Sequence, residues 1–325
     1  MDYRCRANDD GLMHFFLIRR ILAAIPVILV VTVFVFALLH LAPGDPAAII
    51  AGDLATAEDI AKIRSKLGLD QPLLVQFFTW TNQLLHGDLG NSIFSAHPVS
   101  LLIAQRLEPT ITLTVMTLLL SILIAVPLGV IAAWRVGSWI DRGVMGFAVF
   151  GFSVPGFVIG YVLIWLFAIR LDWLPVQGYT PLAQGIGPWL ANIILPSVTL
   201  ALAYMALIAR ITRAAMLETL SQDYIRTAHA KGLATPAVLL RHALHNASVP
   251  IVTVIGIGVA LLIGGVVITE SVFAIPGLGR LTVDAILRRD YPVIQGIILV
   301  FSGAYVVVNL IVDMLYTVLD PRIRY

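Results

Sequence analysis

Six apolar segments, each close to the length of a bilayer-spanning helix, alternate with polar stretches along the chain. A helix needs about 20 predominantly apolar residues to cross the hydrocarbon core of a membrane. Only helices and closed barrels span a bilayer, and these segments lack the alternation of barrel strands. The pattern predicts an all-α, polytopic membrane protein with six transmembrane helices, at about 21–41, 111–134, 144–169, 189–209, 249–268 and 293–318.

The composition supports a membrane protein and narrows its chemistry. Of 325 residues, 59% are hydrophobic and 12% are charged, and the mean hydropathy is +0.93, far above that of an ordinary soluble domain. A net charge of +2 is too small to indicate nucleic acid as a partner. The single cysteine, Cys5, excludes an intrachain disulfide, and no cluster of histidine and cysteine indicates a metal site.

The N-terminal segment leaves two starting points open. Arg19 and Arg20 precede the first apolar segment as in a secretory signal, but that segment is too long for a signal core and no good cleavage site follows it. We therefore expect it to remain as a helix. Residues 1–12 are polar and Met13 directly precedes an apolar run, so translation starts at Met1 or at Met13.

Lysines and arginines indicate which side of the membrane each loop occupies. With both termini in the cytoplasm, that side carries thirteen of the 21 basic residues and the outer side carries eight. Four of these eight lie in the long segment after the first span, where charge has little influence on orientation. The contrast predicts cytoplasmic termini and a cytoplasmic loop at 222–246.

The outer segment, 43–108, carries helix signals of its own. Thr56 is positioned to cap a helix with an acidic first turn, and Gly68 follows the end of that helix. Two interpretations remain open: a lid or dock for an external partner, and a simple cover over the helix bundle. A second helix begins near Pro72, with four apolar side chains on one face, Leu74, Phe77, Phe78 and Leu85.

Motifs for catalysis and for ion coupling are absent from the sequence. No lysine lies in a GxxxxGK[ST] loop, no histidine lies in HExxH, and GFSVP departs from GxSxG at its last position, so we predict no catalytic residues. Few ionisable residues lie in the spans, which argues against an ion-coupled secondary carrier. Asp313 is expected to be an interfacial carboxylate near Arg322 or Arg324. Glu270 and Arg170 are expected to snorkel or to cap at outer helix ends.

Glycines and prolines within the spans predict close packing and bends. Pro155-Gly156 in the third span and Pro196 in the fourth are expected to kink their helices, and such kinks are one hypothesis for a gate. Small residues permit close helix approach in lipid, and the fifth span carries four glycines, Gly256, Gly258, Gly264 and Gly265.

Between the fourth and fifth spans lies a polar, basic stretch that is predicted to form two short helices around a glycine, QDYIRTAHAKGLATPAVLLRHALHNASVP. Ser221 is positioned to cap the first helix, at 222–231, and Gly232 then permits a sharp reversal. Thr235 is the expected cap of the second helix, at 236–246. One side of the first helix is small and partly apolar, which favours seating in a groove of another protein, and it carries Tyr224, Ala228 and Lys231.

Several separated motifs, all in the same order, carry a resemblance to one family. The stretch RTAHAKG, from Arg226 to Gly232, resembles the EAA loop of inner-membrane permeases of bacterial ABC importers. LLHLAPGDPA, GLDQPLLVQFFTW, TESVFAIPGLGRL and VDMLYTVLDPRIRY are similar to the B-type subunit of the dipeptide/oligopeptide branch. The likeness leaves out the first twelve residues. It also departs from the wider superfamily, because Arg226-Thr227-Ala228 replaces Glu-Ala-Ala and Pro250 lies eighteen residues after Gly232.

The resemblance implies a type I ABC importer permease fold in a bacterial plasma membrane, which is the inner membrane in a Gram-negative cell. Two permeases, usually non-identical, would form a pathway, and each would seat its cytoplasmic loop in one of two ATPase subunits that bind ATP and Mg²⁺. An external binding protein would deliver the substrate, and this chain would hold no cofactor. Dipeptides or oligopeptides are the expected cargo, with nickel chelates, glutathione or another small solute as alternatives. The expected ATPase-coupling residues are Asp223, Tyr224, Arg226, Ala228, Lys231, Gly232 and Leu233.

The predicted organisation follows from the spans and from this resemblance. It consists of a polar extension at 1–12, a first transmembrane helix at 13–42, an external helical segment at 43–108, a permease core at 109–318 with a coupling loop at 221–247, and a cytoplasmic tail at 319–325.

Overall fold

The computed structural model describes residues 3–41, 46–51, 55–66 and 68–319, except for the side chains of residues 3–18 and of a small number of later positions. Within these ranges the chain is helical and forms no strand beyond an isolated bridge between Asn91 and Pro98. The all-α prediction is confirmed. The alternative start sites, the Cys5 thiol and the arginines expected beside Asp313 lie outside the described residues and side chains.

Most of the helices extend beyond the apolar segments from which they were predicted. Backbone hydrogen bonding continues a helix past its apolar residues, so an apolar segment predicts a span but not the ends of the helix. In chain order the α-helices are α1 (Tyr3–Leu41), α2 (Pro46–Ala51), α3 (Ala57–Lys66), α4 (Leu73–Leu85), α5 (Val99–Trp134), α6 (Trp139–Ser153), α7 (Gly156–Leu163), α8 (Ile186–Leu220), α9 (Asp223–Ala230), α10 (Thr235–Ala237), α11 (Leu244–Asn246), α12 (Ser248–Val272), α13 (Leu278–Arg288) and α14 (Tyr291–Leu319). Two π-helical segments, Ile164–Arg170 and Val238–Ala243, and a 3₁₀ turn, Leu182–Gln184, complete the described helical structure.

Four of the described helices are individually long and apolar enough to cross a membrane: Leu22–Leu41 within α1, Val99–Trp134, Ile186–Leu220, and Tyr291–Tyr316 within α14. Two bent helix pairs raise the possible total to six, the predicted number.

Prolines act differently at the two predicted kinks. The pair Trp139–Ser153 and Gly156–Arg170 is bent by 102° at the break that contains Pro155, so a bend is confirmed there. Proline removes a backbone donor and disfavours helical geometry in the residue before it, which accounts for the break. By contrast, α8 runs through Pro196 as one helix.

Contacts divide the chain into two compact units, Met1–Arg106 with Leu281–Val306, and Leu107–Arg280 with Val307–Tyr325. In the first unit, Phe36 of α1 packs against Phe77 and Trp80 of α4, with ring centroids 5.3 and 5.8 Å apart. The buried Asp290 carboxylate accepts hydrogen bonds from the Ser92 hydroxyl at 2.5 Å and from the Ile93 N–H at 3.1 Å.

Both helices predicted in the segment 43–108 are present and begin as predicted. Thr56 and Asp59 form a capping box, in which the Asp59 N–H donates to the threonine hydroxyl at 3.3 Å and the Thr56 N–H donates to the Asp59 carboxylate at 3.2 Å. The Thr56 hydroxyl also donates to this carboxylate, at 2.6 Å, and this bond and the bond from the Thr56 N–H lower the pKa of Asp59. Gly68 follows α3 with φ +66°, and α4 starts directly after Pro72.

The second unit holds three buried apolar clusters and several close helix approaches. A Cβ added at Gly256 would lie 2.7 Å from the Val312 side chain, and one added at Gly258 would lie 2.2 Å from the Tyr204 hydroxyl. The prediction of close packing is confirmed at these two positions and at Gly265. An added Cβ at Gly264 would meet no atom of the described residues within 4 Å, so the packing predicted there is not found within this part of the chain.

Glu270 corrects the expectation of snorkelling at an outer helix end. Its side chain is fully buried, and its carboxylate accepts hydrogen bonds from the Thr110 hydroxyl at 2.6 Å and from the Arg280 N–H at 2.9 Å. It therefore caps the first turn of α13, not its own helix. Gly277 leaves the room for this carboxylate, since an added Cβ there would lie 2.0 Å from a Glu270 oxygen. Arg170 lies over the Trp165 ring, 5.2 Å from its centroid.

Candidate functional site

The two short helices predicted around Gly232, between the fourth and fifth spans, are present but have caps other than those predicted. We call this segment, residues 222–246, the hairpin. Gln222 is extended and precedes α9, whereas Ser221 is still helical and its hydroxyl donates to the Glu218 carbonyl at 2.7 Å. Ala234 precedes α10, and Thr235 is already helical. The predicted caps at Ser221 and Thr235 are therefore wrong, because a cap residue needs non-helical backbone angles.

The turn of the hairpin depends on Gly232, which has φ +78°. Glycine adopts such angles without the steric cost that a Cβ imposes. Its N–H donates to the His229 carbonyl at 2.9 Å, and the Leu233 N–H donates to the Ala228 carbonyl at 3.3 Å, which closes the end of α9. Space around the turn is open, since an added Cβ at Gly232 would meet no atom within 4 Å.

One face of the hairpin is built into the protein interior. Ile225, with 3% of its surface exposed, and Ala228 are buried one helical turn apart on α9. They share an apolar cluster with residues from both sides of the hairpin and from the adjacent ends of α5, α8 and α12. The hairpin is thus packed as part of a body that includes the ends of three long helices. The other buried members are Val130, Ala133, Ala215, Met216, Val238, Leu239, Ala243, Ala247 and Ile251.

The opposite face of the hairpin is exposed and mixes apolar and charged groups. Tyr224 and Leu233 expose 42% and 41% of their surfaces. Arg226 Nη1 lies 3.2 Å from Asp223 Oδ1, and both side chains are largely exposed, so this ion pair contributes little to stability. Lys231 is also exposed and stands beside the turn.

Six of the seven predicted coupling residues therefore share the exposed part of the hairpin, and Ala228 does not. The predicted stripe of Tyr224, Ala228 and Lys231 is not a continuous surface, because packing of α9 turns Ala228 inward. Sequence reasoning missed the anchor at Ile225, although apolar residues at i and i+3 could have signalled it. It also missed Leu240, an exposed apolar side chain on the second half of the hairpin.

An ion pair whose carboxylate is buried joins α8 to α6. Arg213 Nε lies 2.5 Å from Asp141 Oδ1, and Nη2 lies 2.8 Å from Oδ2. The Gly137 N–H also donates to Asp141, and the Ser138 hydroxyl caps α6 by accepting the Asp141 N–H. Paired geometry of this kind orients two helices as well as attracting them. Nothing local in the sequence signals the pair, since its members are 72 residues apart.

In the part of the chain that the structure describes, no group of three or more histidine, cysteine, aspartate or glutamate side chains is arranged to hold a metal ion.

Comparison with protein families matches nearly the whole chain. A family described as "Binding-protein-dependent transport system inner membrane component" matches residues 125–325. The corresponding N-terminal family of membrane components matches residues 13–114.

Full-length relatives agree with these matches. The chain is 56% identical over 313 residues to a probable peptide ABC transporter permease protein of Sinorhizobium fredii, covering 96% of this chain and 100% of the relative. It is 46% identical to a putative peptide transport system permease of Brucella melitensis, over 97% of this chain and 100% of that protein. A glutathione transport system permease of Salmonella typhi is 45% identical, over 95% and 99% of the two chains.

Solved structures share the fold at lower identity. An inward-facing structure of the MetNI methionine ABC transporter matches with a TM-score of 0.56 and 18% identity, covering 68% of this chain and 97% of that one. The likeness supports the predicted permease fold and carries no information about cargo.

Proposed function

The chain belongs to the family of binding-protein-dependent transport system inner membrane components, and from that premise we propose that it is the permease subunit of an ATP-driven importer of dipeptides or oligopeptides. The proposal of a peptide cargo is supported by the peptide permeases that match the chain over their full lengths. Glutathione is a second candidate, because the chain is also 45% identical to glutathione permeases. Glutathione is itself a small peptide, so one pathway chemistry accommodates both.

The hairpin is the proposed contact with an ATPase subunit. One observation carries this proposal: its inner face shares a core with the ends of α5, α8 and α12, while its outer face presents Tyr224, Leu233 and charged groups. A partner that seats the outer face and tilts the hairpin would move three helix ends together, because closely packed interiors move as rigid bodies. ATP hydrolysis would take place in the partner.

The remaining subunits and the orientation belong to the same proposal. The family name specifies a binding protein, and we propose that it delivers cargo from the external side to a pathway formed with a second permease. The chain is a multi-pass inner-membrane protein, and the basic residues support cytoplasmic termini with the hairpin on the same side.

Gly232 offers a direct test of docking. A left-handed conformation costs an ordinary residue about 1–2 kcal/mol, and asparagine tolerates it better than a β-branched residue does. We expect Gly232→Val to weaken co-purification of the ATPase with the membrane complex about tenfold, as about 1.4 kcal/mol would, and Gly232→Asn to retain most of it. Gly87 is the matched control, since it has the same φ of +78° and equally open surroundings but lies outside the hairpin. Gly87→Val should leave ATPase association intact. Equal association for all three variants would refute docking through the hairpin.

Substitutions at two neighbouring residues distinguish contact with the ATPase from packing of the hairpin against the rest of the chain. Tyr224→Ala should reduce ATPase association while leaving hydrogen exchange of the hairpin unchanged, since the side chain is largely exposed. Ile225→Ala should speed that exchange, because loss of a buried isoleucine costs about 2–5 kcal/mol. If Tyr224→Ala bound the ATPase normally, the exposed face would not be the contact.

Transport itself distinguishes the cargo and the energy source. Proteoliposomes that hold the complete complex should accumulate radiolabelled dipeptide only with internal ATP and external binding protein. Accumulation by this chain alone under an ion gradient would instead establish a secondary carrier. Preference for glutathione over dipeptides would select the second candidate.

A further inference from the structure

The helix α4 of the predicted external segment exposes an apolar face that none of the described residues of its own unit covers. Leu74, Phe78 and Leu85 expose 72%, 67% and 81% of their surfaces, and α4 contains no buried residue. These positions fall on one side of the helix, at separations of four and seven residues. An exposed apolar stripe of this kind, on a segment outside the predicted spans, indicates contact with another protein or with the membrane.

The other side of α4 is attached to the first span. Phe77 and Trp80 pack on Phe36, and the Gln76 side-chain oxygen lies 3.1 Å from His40 Nε2. The Gln76 side chain of α4 therefore turns toward α1 and the turn before α4, where it also donates to the Gln71 carbonyl at 2.8 Å.

The attachment point sets the depth of α4. The span Leu22–Leu41 has 20 residues, which at 1.5 Å per residue equals about 30 Å, the thickness of the hydrocarbon core. Phe36 lies five residues before Leu41, or about 7.5 Å inside that end of the span. Helices that lie in a membrane interface bury their apolar faces by about 5–10 Å, so the depth of the anchor matches.

Composition and continuity favour lipid as the occupant. α4 carries no charged residue, and Trp80 is an aromatic of the type enriched at membrane boundaries. The exposed apolar surface of α1 continues to its end, where Phe34 and Leu41 are both largely exposed. Exposed apolar side chains are therefore present both on α4 and at the end of the predicted span to which it is attached.

We propose that α4 lies in the membrane interface, with Leu74, Phe78 and Leu85 among the acyl chains of the leaflet at the C-terminal end of α1. The occupant of the stripe is the lipid bilayer. This inference depends on the proposed function only in that α1 crosses the membrane. It assigns α4 a role that differs from both a dock for an external protein and a cover over the bundle.

Spin labels on the complete transporter in liposomes test the proposal. With Cys5 replaced by serine, single cysteines are introduced by Phe78→Cys and Leu85→Cys on the stripe, and by Gln83→Cys on the exposed polar side as the matched control. Labels at 78 and 85 should collide with oxygen, which concentrates in lipid, and should be shielded from a water-soluble nickel chelate. A label at 83 should show the reverse preference.

A label at Leu29→Cys, an exposed position within the first span, reports on the premise. If position 29 does not report lipid, the membrane crossing of α1 is wrong and the proposed topology fails with it. If position 29 reports lipid while 78 and 85 react with the nickel chelate, only the inference about α4 is overturned. Shielding of 78 and 85 from both reagents, relieved when the binding protein is removed, would overturn it in favour of a protein occupant.

Discussion

Replacing Arg213 with methionine should loosen the connection between α8 and α6. The Asp141 side chain is 6% exposed and that of Arg213 is 23% exposed, so the substitution leaves a buried carboxylate without its cation. Breaking a buried ion pair on one side costs about 3–5 kcal/mol. Because Arg213 is partly exposed and the Gly137 N–H still donates to the carboxylate, we expect the lower end, about 3 kcal/mol. Each 1.4 kcal/mol is a factor of ten, so the first turn of α6 should open about 100-fold more often.

Hydrogen exchange of the assembled transporter in nanodiscs measures this opening directly. Amides in the first turns of α6 should exchange about 100-fold faster in Arg213→Met than in the parent protein. Arg210→Met is the matched control, because Arg210 lies on the same helix and is exposed, and its guanidinium lies 5.6 Å from the ring centroid of Phe152, at the C-terminal end of α6. It should leave the exchange of the first turns of α6 unchanged.

A second substitution completes the test. Adding Asp141→Asn to Arg213→Met removes the stranded charge but keeps an oxygen that accepts the Gly137 N–H, so most of the protection of α6 should return. Unchanged exchange in the single variant would refute the reasoning. Equally fast exchange in the single and double variants would show that the carboxylate charge is not the cause.

Two further predictions concern Gly277 and Asp59. Gly277→Ala should destabilise the purified protein by about 1–3 kcal/mol, because the added Cβ would overlap the Glu270 carboxylate. Gly264→Ala is the control, since its added methyl group meets no described atom within 4 Å and should not lower the melting temperature. Equal melting temperatures of the two variants would contradict this account. The pKa of Asp59 is lowered in the folded protein, so its support of α3 is present above the ordinary value of 3.8 and is lost as the pH falls through the lowered folded pKa. Hydrogen exchange of α3 should therefore quicken in acid relative to an Asp59→Asn variant, and identical acid sensitivity of the two proteins would count against the capping box.

Local chemistry in the sequence was sufficient for much of the helical layout. Apolar segments long enough to cross a bilayer predicted where the spans lie, because the cost of exposing backbone and polar groups to lipid leaves few alternatives. Thr56 with Asp59, and Gly232 with its reversal, were also readable, because capping and left-handed turns involve residues only a few positions apart. The two predicted caps of the hairpin failed because Ser221 ends α8 with helical backbone angles and α10 already includes Thr235, and a propensity does not determine where a helix ends.

Which side chains face inward, and which distant residues meet, was decided only by the tertiary structure. Ala228 resembled a contact residue in the sequence and became part of the core, while its neighbour Ile225 anchors the hairpin. Glu270 was expected to snorkel or to cap at the outer end of its own span and instead is buried and caps a helix that follows in the chain, and Asp141 finds its cation on another helix. Hydropathy and helix signals depend on near neighbours along the chain, whereas these contacts depend on how helices separated by many residues pack against one another.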